Sequence, residues 1–246
     1  MIFWRALIWW WGAYLVLLPS LLAVSRCTPL HLNNGIAFSY VTGSFVLMPL
    51  AQNISRLSEA DYLRLERQAE IRSEYFDGEM SAMAGGTRAH SLIGMNIGAE
   101  LRTQLKGTDC VVYNTDLRVK VEATGLFTYP DVSIVCDEQR FLDDQQDTLL
   151  NPVVMVEVLS DSTEAYDRGK KFGHYRQIPT CREYLLVSQK ERRIEQFIRQ
   201  VNGEWILKEA VGLEAEMKLV SLGIVLRLAE VFAKVQFTPA GLRTRT

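Results

Sequence analysis

The strongest constraint on this chain is an apolar run near its middle, Val153-Val154-Met155-Val156-Glu157-Val158-Leu159. Side chains alternate across a strand, so Val153, Met155, Glu157 and Leu159 share one face, and Val154, Val156 and Val158 share the other. Both faces are apolar, which marks a central strand covered on both sides. Such a strand requires a sheet with further structure packed above and below it. Glu157 breaks the pattern. A carboxylate there is costly to bury unless it is paired or bound to a cation. The plainer alternative puts Glu157 near the end of the sheet, within reach of water.

A second acid opens the preceding apolar strand, in Tyr129-Pro130-Asp131-Val132-Ser133-Ile134-Val135. Pro130 stands at the strand start, where a missing donor does no harm. Taken alone, Asp131 reads as a turn or capping aspartate. Paired with Glu157 on an adjacent strand, it reads differently, because two like charges at close range are unfavourable without a cation. A hard divalent ion such as Mg²⁺ takes oxygen ligands from one or two carboxylates and keeps several waters. Past Glu157, Asp167 and Lys171 stand at i, i+4, with Lys170 and His174 nearby. The plain reading is a solvated helix face with an ion pair, which suits Lys170. A lysine beside a metal-bound water can instead orient that water or stabilise charge on a phosphate under attack.

Around these residues the chain reads as one domain with a mixed α/β sheet. Ser58 caps a helix over residues 59–68. Two short strands flank a turn at Asp77-Gly78. Thr87 or Arg88 opens a second helix with Leu92, Ile93, Ile97, Leu101 and Leu105 on one stripe, closed by Gly107. Strands are expected over 110–113, 116–122, 131–136 and 153–159. A third helix is expected over 163–177, with Asp161 and Glu164 as a capping box and Pro179 marking its end. Strands over 183–188, 193–200 and 204–210 follow, the last two joined at Asn202-Gly203. A final helix is expected over 226–234.

The N-terminal residues 1–47 stand apart from a body over 48–236 and a tail over 237–246. Residues 2–24 are almost wholly apolar and long enough to cross a bilayer. Three readings stay open for them: a transmembrane anchor, a signal peptide, or a mis-assigned start with Met48 as the true one. The body is expected to be cytoplasmic, or membrane-anchored if the apolar segment is a real anchor. The four cysteines show no metal-type spacing and read as free thiols, with Cys110, Cys136 and Cys181 as packing residues. Removing Arg5 and Arg26 from the 27 basic residues leaves 25 against 29 acidic ones, a net of −4 for the body. A sequence-independent DNA binder is usually basic, so the bulk charge argues mildly against nucleic acid while leaving room for a local basic groove.

Taken together, Asp131 in Tyr-Pro-Asp-Val-Ser, Glu157 in Val-Glu-Val-Leu-Ser, the segment Asp-Arg-Gly-Lys-Lys-Phe and the strand Glu-Tyr-Leu-Leu-Val resemble the Uma-type restriction endonuclease family of the PD-(D/E)XK superfamily. The resemblance runs from about residue 57 to 232. It implies a restriction endonuclease-like αβββαβ core with a mixed central sheet and a C-terminal β meander. It also implies a Mg²⁺-dependent (or Mn²⁺-dependent) endonuclease acting on DNA, with a homodimer as a candidate assembly, since many such nucleases act as dimers. Asp131 and Glu157 would be metal ligands, aided by the carbonyl of Val158. Glu74, in Ser-Glu-Tyr-Phe-Asp-Gly, would be an acid near the metal. The family pattern usually has a lysine two residues after the glutamate, where this chain has Leu159; Lys171 on the next helix fits that role best. Asp167 would orient the lysine helix, and His90 would be a site or phosphate contact. If Lys171 fails to reach the site, the alternative is a non-catalytic nucleic-acid-binding or interaction module on a nuclease fold.

Overall fold

The computed structural model describes residues 56–237. The apolar N-terminal segment, Met48 and the tail from residue 238 lie outside the described residues. Helix α1 (Glu59–Glu66) starts at Ser58, whose hydroxyl accepts the Asp61 N–H. Strands β1 (Ser73–Phe76) and β2 (Glu79–Ala82) form a hairpin. Its turn has φ of 50° at Asp77 and 86° at Gly78, a pairing that aspartate and glycine tolerate. Helix α2 (Arg88–Gln104) is capped by Thr87, whose hydroxyl accepts the His90 N–H, and it buries Ile93, Ile97 and Leu101. Strands β3 (Val111–Asn114), β4 (Arg118–Val121), β5 (Leu126–Thr128), β6 (Val132–Val135) and β7 (Thr148–Leu149) lead to β8 (Val154–Leu159), the strand that carries Glu157.

After β8 the chain enters α3 (Glu164–Tyr166), a π-helical turn (Asp167–Lys171) and α4 (Phe172–Tyr175) without interruption. Then come β9 (Glu183–Ser188), β10 (Arg193–Arg199) and β11 (Trp205–Val211), an antiparallel meander. A hairpin of β12 (Glu216–Leu219) and β13 (Ile224–Arg227) precedes α5 (Leu228–Val231).

The main sheet has the order β11-β10-β9-β8-β6-β3. It is mixed, because β8 and β9 run parallel while the other pairs are antiparallel. Following α2, β3, β6, β8, the α3–α4 segment and β9 gives the αβββαβ order. Strands β1, β2, β4, β5 and β7 form a second sheet of order β2-β1-β5-β4-β7, and β12 and β13 pair as a sheet of their own.

The alternation of β8 sorts its side chains between two cores. Val154, Val156 and Val158 pack with Val132, Ile134, Leu185 and Val187 beneath α2. Met155 and Leu159 pack on the other side with Tyr175, Tyr184, Val119 and Leu126. A fully buried aliphatic side chain contributes about 1.5–3 kcal/mol, so the two-sided covering fixes the register of β8. Glu157 shares the face of Met155 and Leu159.

Several expectations need correction. Cys110 and Cys136 are disulfide-bonded, while Cys181 is free and buried. The pairing follows from the β3–β6 register, in which Val111 faces Val135 and the next step outward brings the two cysteines together. The helical segment is capped at Thr163 rather than at Asp161. The Ser160 hydroxyl accepts the Thr163 N–H and its carbonyl the Glu164 N–H, while Asp161 pairs with Lys190. The last helix covers only Leu228–Val231, because the residues before it are taken up by the β12–β13 hairpin. The readings of residues 2–24 as an anchor or signal peptide fall outside the described residues and are untouched by this; among the described residues, no helix is long and apolar enough to cross a membrane.

Candidate active site

In the β6–β8 register Val132 faces Val156 and Ser133 faces Met155. One further step sets Asp131 opposite Glu157, at the end of the strand pair. Directly opposed side chains project from the same face with Cβ atoms roughly 5 Å apart, so the two acids share a corner of the sheet. Both line an open cleft of about 2560 Å³ that also takes in Glu74, His90, Asp167 and Lys171.

Lys171 comes to this corner from the helical segment. Its Nζ lies 3.0 Å from Glu74 Oε1, 3.2 Å from Glu157 Oε1 and 3.4 Å from Asp167 Oδ1. The cluster is deeply set, with relative exposures of 6% for Lys171, 4% for Glu157 and 2% for Asp167. Burial works against the Lys171 charge, but Glu157, Glu74 and Asp167 outweigh it and hold the ammonium well above its usual pKa. Burial pushes the Glu157 carboxyl up to about 8; Lys171 and the Tyr175 hydroxyl pull it down, while Asp131 and Asp167 push it further up. Burial likewise raises Asp167, against the pull of Lys171. Lys170, one position earlier, is exposed.

The π-helical turn explains how Asp167, Lys171 and Tyr175 all point inward. Residues spaced by four drift around an α-helix, because four residues exceed a turn of 3.6. A π turn takes up the excess by closing its loop over five residues. Asp167, Lys171 and Tyr175 are accordingly all buried. The Tyr175 hydroxyl donates to Glu157 Oε1 at 2.7 Å.

Asp131 is held from two sides. Its Oδ2 accepts the Val158 backbone N–H at 2.7 Å and lies 3.2 Å from His90 Nε2. The hydrogen bond to Asp131 raises the His90 pKa despite burial. Gly86 makes room for the ring, since a Cβ there would come within 2.9 Å of His90 Nδ1. Glu74 lies on the lysine side of the cluster, where the Thr128 hydroxyl donates to it.

All of the acids and bases singled out in the sequence therefore meet at one cleft. Sequence reasoning missed Tyr175, Thr128 and Tyr184, whose hydroxyl donates to the Asp167 carbonyl. A tyrosine on a helix reads as core, and only the spacing of four from Lys171 hinted otherwise. Among the described residues, no group of three or more His, Cys, Asp or Glu side chains stands in a metal-binding arrangement. The donor chemistry nonetheless fits a hard cation: two carboxylates at one sheet corner, beside open volume, supply the one or two carboxylates that Mg²⁺ takes.

Residues 59–229 match the Uma2 family, described as "Putative restriction endonuclease". The chain belongs to the Uma2 family. Two Synechocystis sp. proteins are similar to it over most of their length. One, an uncharacterized protein, is 35% identical over 184 residues, covering 74% of this chain and 94% of its own. The other, also uncharacterized, is 33% identical over 162 residues, covering 66% and 92%. A crystal structure of "a putative nuclease belonging to DUF820" from Anabaena variabilis superposes with a TM-score of 0.57. It shares 16% identity and covers 70% of this chain and 96% of its own, so the likeness speaks to the fold. This Uma2 chain shares a nuclease-type fold, and its family points to hydrolysis of nucleic acid.

Proposed function

We propose that this Uma2 protein is a divalent-cation-dependent endonuclease that hydrolyses phosphodiester bonds in DNA. Asp131 and Glu157 would hold Mg²⁺, or Mn²⁺ in its place, with the Val158 carbonyl as a further oxygen. When bound, such an ion polarises the scissile phosphate and lowers the pKa of an attacking water. Lys171 orients that water or takes up charge developing on the phosphate. Glu74 and Asp167 keep the lysine charged and aimed, and His90 steadies Asp131. The observation that carries this reading is the approach of Lys171 to Glu157, at 3.2 Å, from a helix well beyond position 159. It gives the site a lysine although Leu159 occupies the usual position.

The test is cleavage of supercoiled plasmid and of a single-stranded circular DNA with Mg²⁺, Mn²⁺ or EDTA by the wild type, Asp131→Ala and Glu157→Ala, with Mn²⁺ binding followed by calorimetry. Cutting that requires metal and disappears in both variants, together with their loss of Mn²⁺ binding, is the expected outcome. A wild type that leaves both plasmid and single-stranded circle intact with every metal, or variants that cut equally well, would falsify the assignment. Both DNAs left intact with retained DNA binding would favour the non-catalytic module.

A further inference from the structure

Alternation along β1 sends Tyr75 into the small core with Tyr62 and Phe127, and turns Glu74 and Phe76 to the opposite face. Two positions along a strand are about 7 Å apart. Glu74 meets Lys171, whereas Phe76 remains 42% exposed and lines the same cleft. Its ring packs edge-on against His174, with centroids 4.7 Å apart at 68°. His174 is three residues beyond Lys171, and its Nδ1 lies 2.9 Å from Thr124 Oγ1, which fixes the ring. The two elements that bring Glu74 and Lys171 to the site thus also build an exposed aromatic step beside it.

The charge of the cleft limits what could lie there. Of the described residues that line it, seven are acidic and five are lysine or arginine. Duplex DNA is held without sequence preference mainly by neutralising phosphates, and this cleft has no cationic surplus for that. Stacking of bases on aromatic rings needs no net charge and is the usual means of holding unpaired strands.

We propose that Phe76, braced by His174, is a stacking platform for an unpaired base of a DNA strand next to the cleaved phosphate. The substrate class is then single-stranded or locally unpaired DNA. This rests on the nuclease reading for its placement, but its test does not depend on cleavage.

The test is fluorescence anisotropy with the full chain, with Ca²⁺ in place of Mg²⁺. The probes are a labelled oligothymidylate, an abasic oligonucleotide of equal length, and a duplex. The wild type is expected to bind the oligothymidylate more tightly than either other probe. Phe76→Ala should weaken that binding by about tenfold, the order reported for loss of one stacked base, and should leave the abasic probe unaffected. Phe76→Tyr should retain the preference, which separates stacking from damage to the fold. The same pattern in the Asp131→Ala background would keep the platform even if cleavage is never seen. Equal binding of thymidylate and abasic probes, a preference for duplex, no binding of the single strand, or a Phe76→Ala protein indistinguishable from wild type would overturn the proposal, even if the wild type cuts plasmid.

Discussion

Without its ammonium, Lys171 would leave Glu74, Glu157 and Asp167 facing a buried space with no cation among them. Removing one partner of a buried charge cluster typically costs about 3–5 kcal/mol. Lys171→Met, similar in length and uncharged, should therefore lower stability by about 3 kcal/mol, as measured by urea unfolding in EDTA. An unchanged midpoint would show that the lysine is not held in the cluster. The sequence allowed this role to be suspected and no more. Asp131 and Glu157 were legible because each interrupts an apolar strand. Lys171 was legible through its spacing from Asp167 and the family pattern. Tyr175 and Thr128 were not, because their hydroxyls acquire meaning only when strand register and the helical segment bring them against Glu157 and Glu74.

At the scale of elements, the capped helices and long apolar strands could be read from local chemistry, since Ser58 and Thr87 each satisfy an N–H of the first turn. Short strands could not. Thr148-Leu149 gains its strand character from tertiary pairing, with Arg118 and Val119 on one side and a bridge to Phe141 on the other. The π turn was equally hidden, because nothing in Asp-Arg-Gly-Lys-Lys states a wider turn. Cysteine spacing failed for the same reason: Cys110 and Cys136 are 26 residues apart in sequence but opposite each other in register. A crosslink that closes a loop of this length stabilises by about 3.5 kcal/mol in the loop-entropy account. Urea unfolding with and without reductant should differ by that order. Identical curves, with Cys110 and Cys136 both open to alkylation, would show that the bond does not form in solution.

The whole body is held near the site by a polar network as well as by its cores. Arg118 donates to Thr148 Oγ1 at 2.9 Å and to the Tyr129 hydroxyl at 3.0 Å, and pairs with Asp147 at 3.0 Å. The Tyr129 hydroxyl donates in turn to Glu66, and Arg67 joins Asp147 to α1 at 2.8 Å. This ties α1, β4 and β7 to the chain two residues before Asp131, so the network steadies the crossing from one sheet to the other. Partial burial alone would raise the Asp147 carboxyl, but hydrogen bonds from Arg67 and Thr148 and the Arg118 charge outweigh it and bring the pKa down to about 2. The unfolded chain binds a proton at this carboxylate near 3.8, the ordinary value. A group depressed on folding stabilises fully above its unfolded pKa and loses that contribution as pH falls through the folded one. Asp147 should therefore add stability above about pH 4 that disappears as pH approaches about 2. Asp147→Asn should be less stable than wild type at neutral pH, and its stability should fall less steeply in acid. Urea unfolding at a series of pH values checks this, and equal slopes for the two proteins across the acid range would mean that the network does not draw its strength from the Asp147 charge.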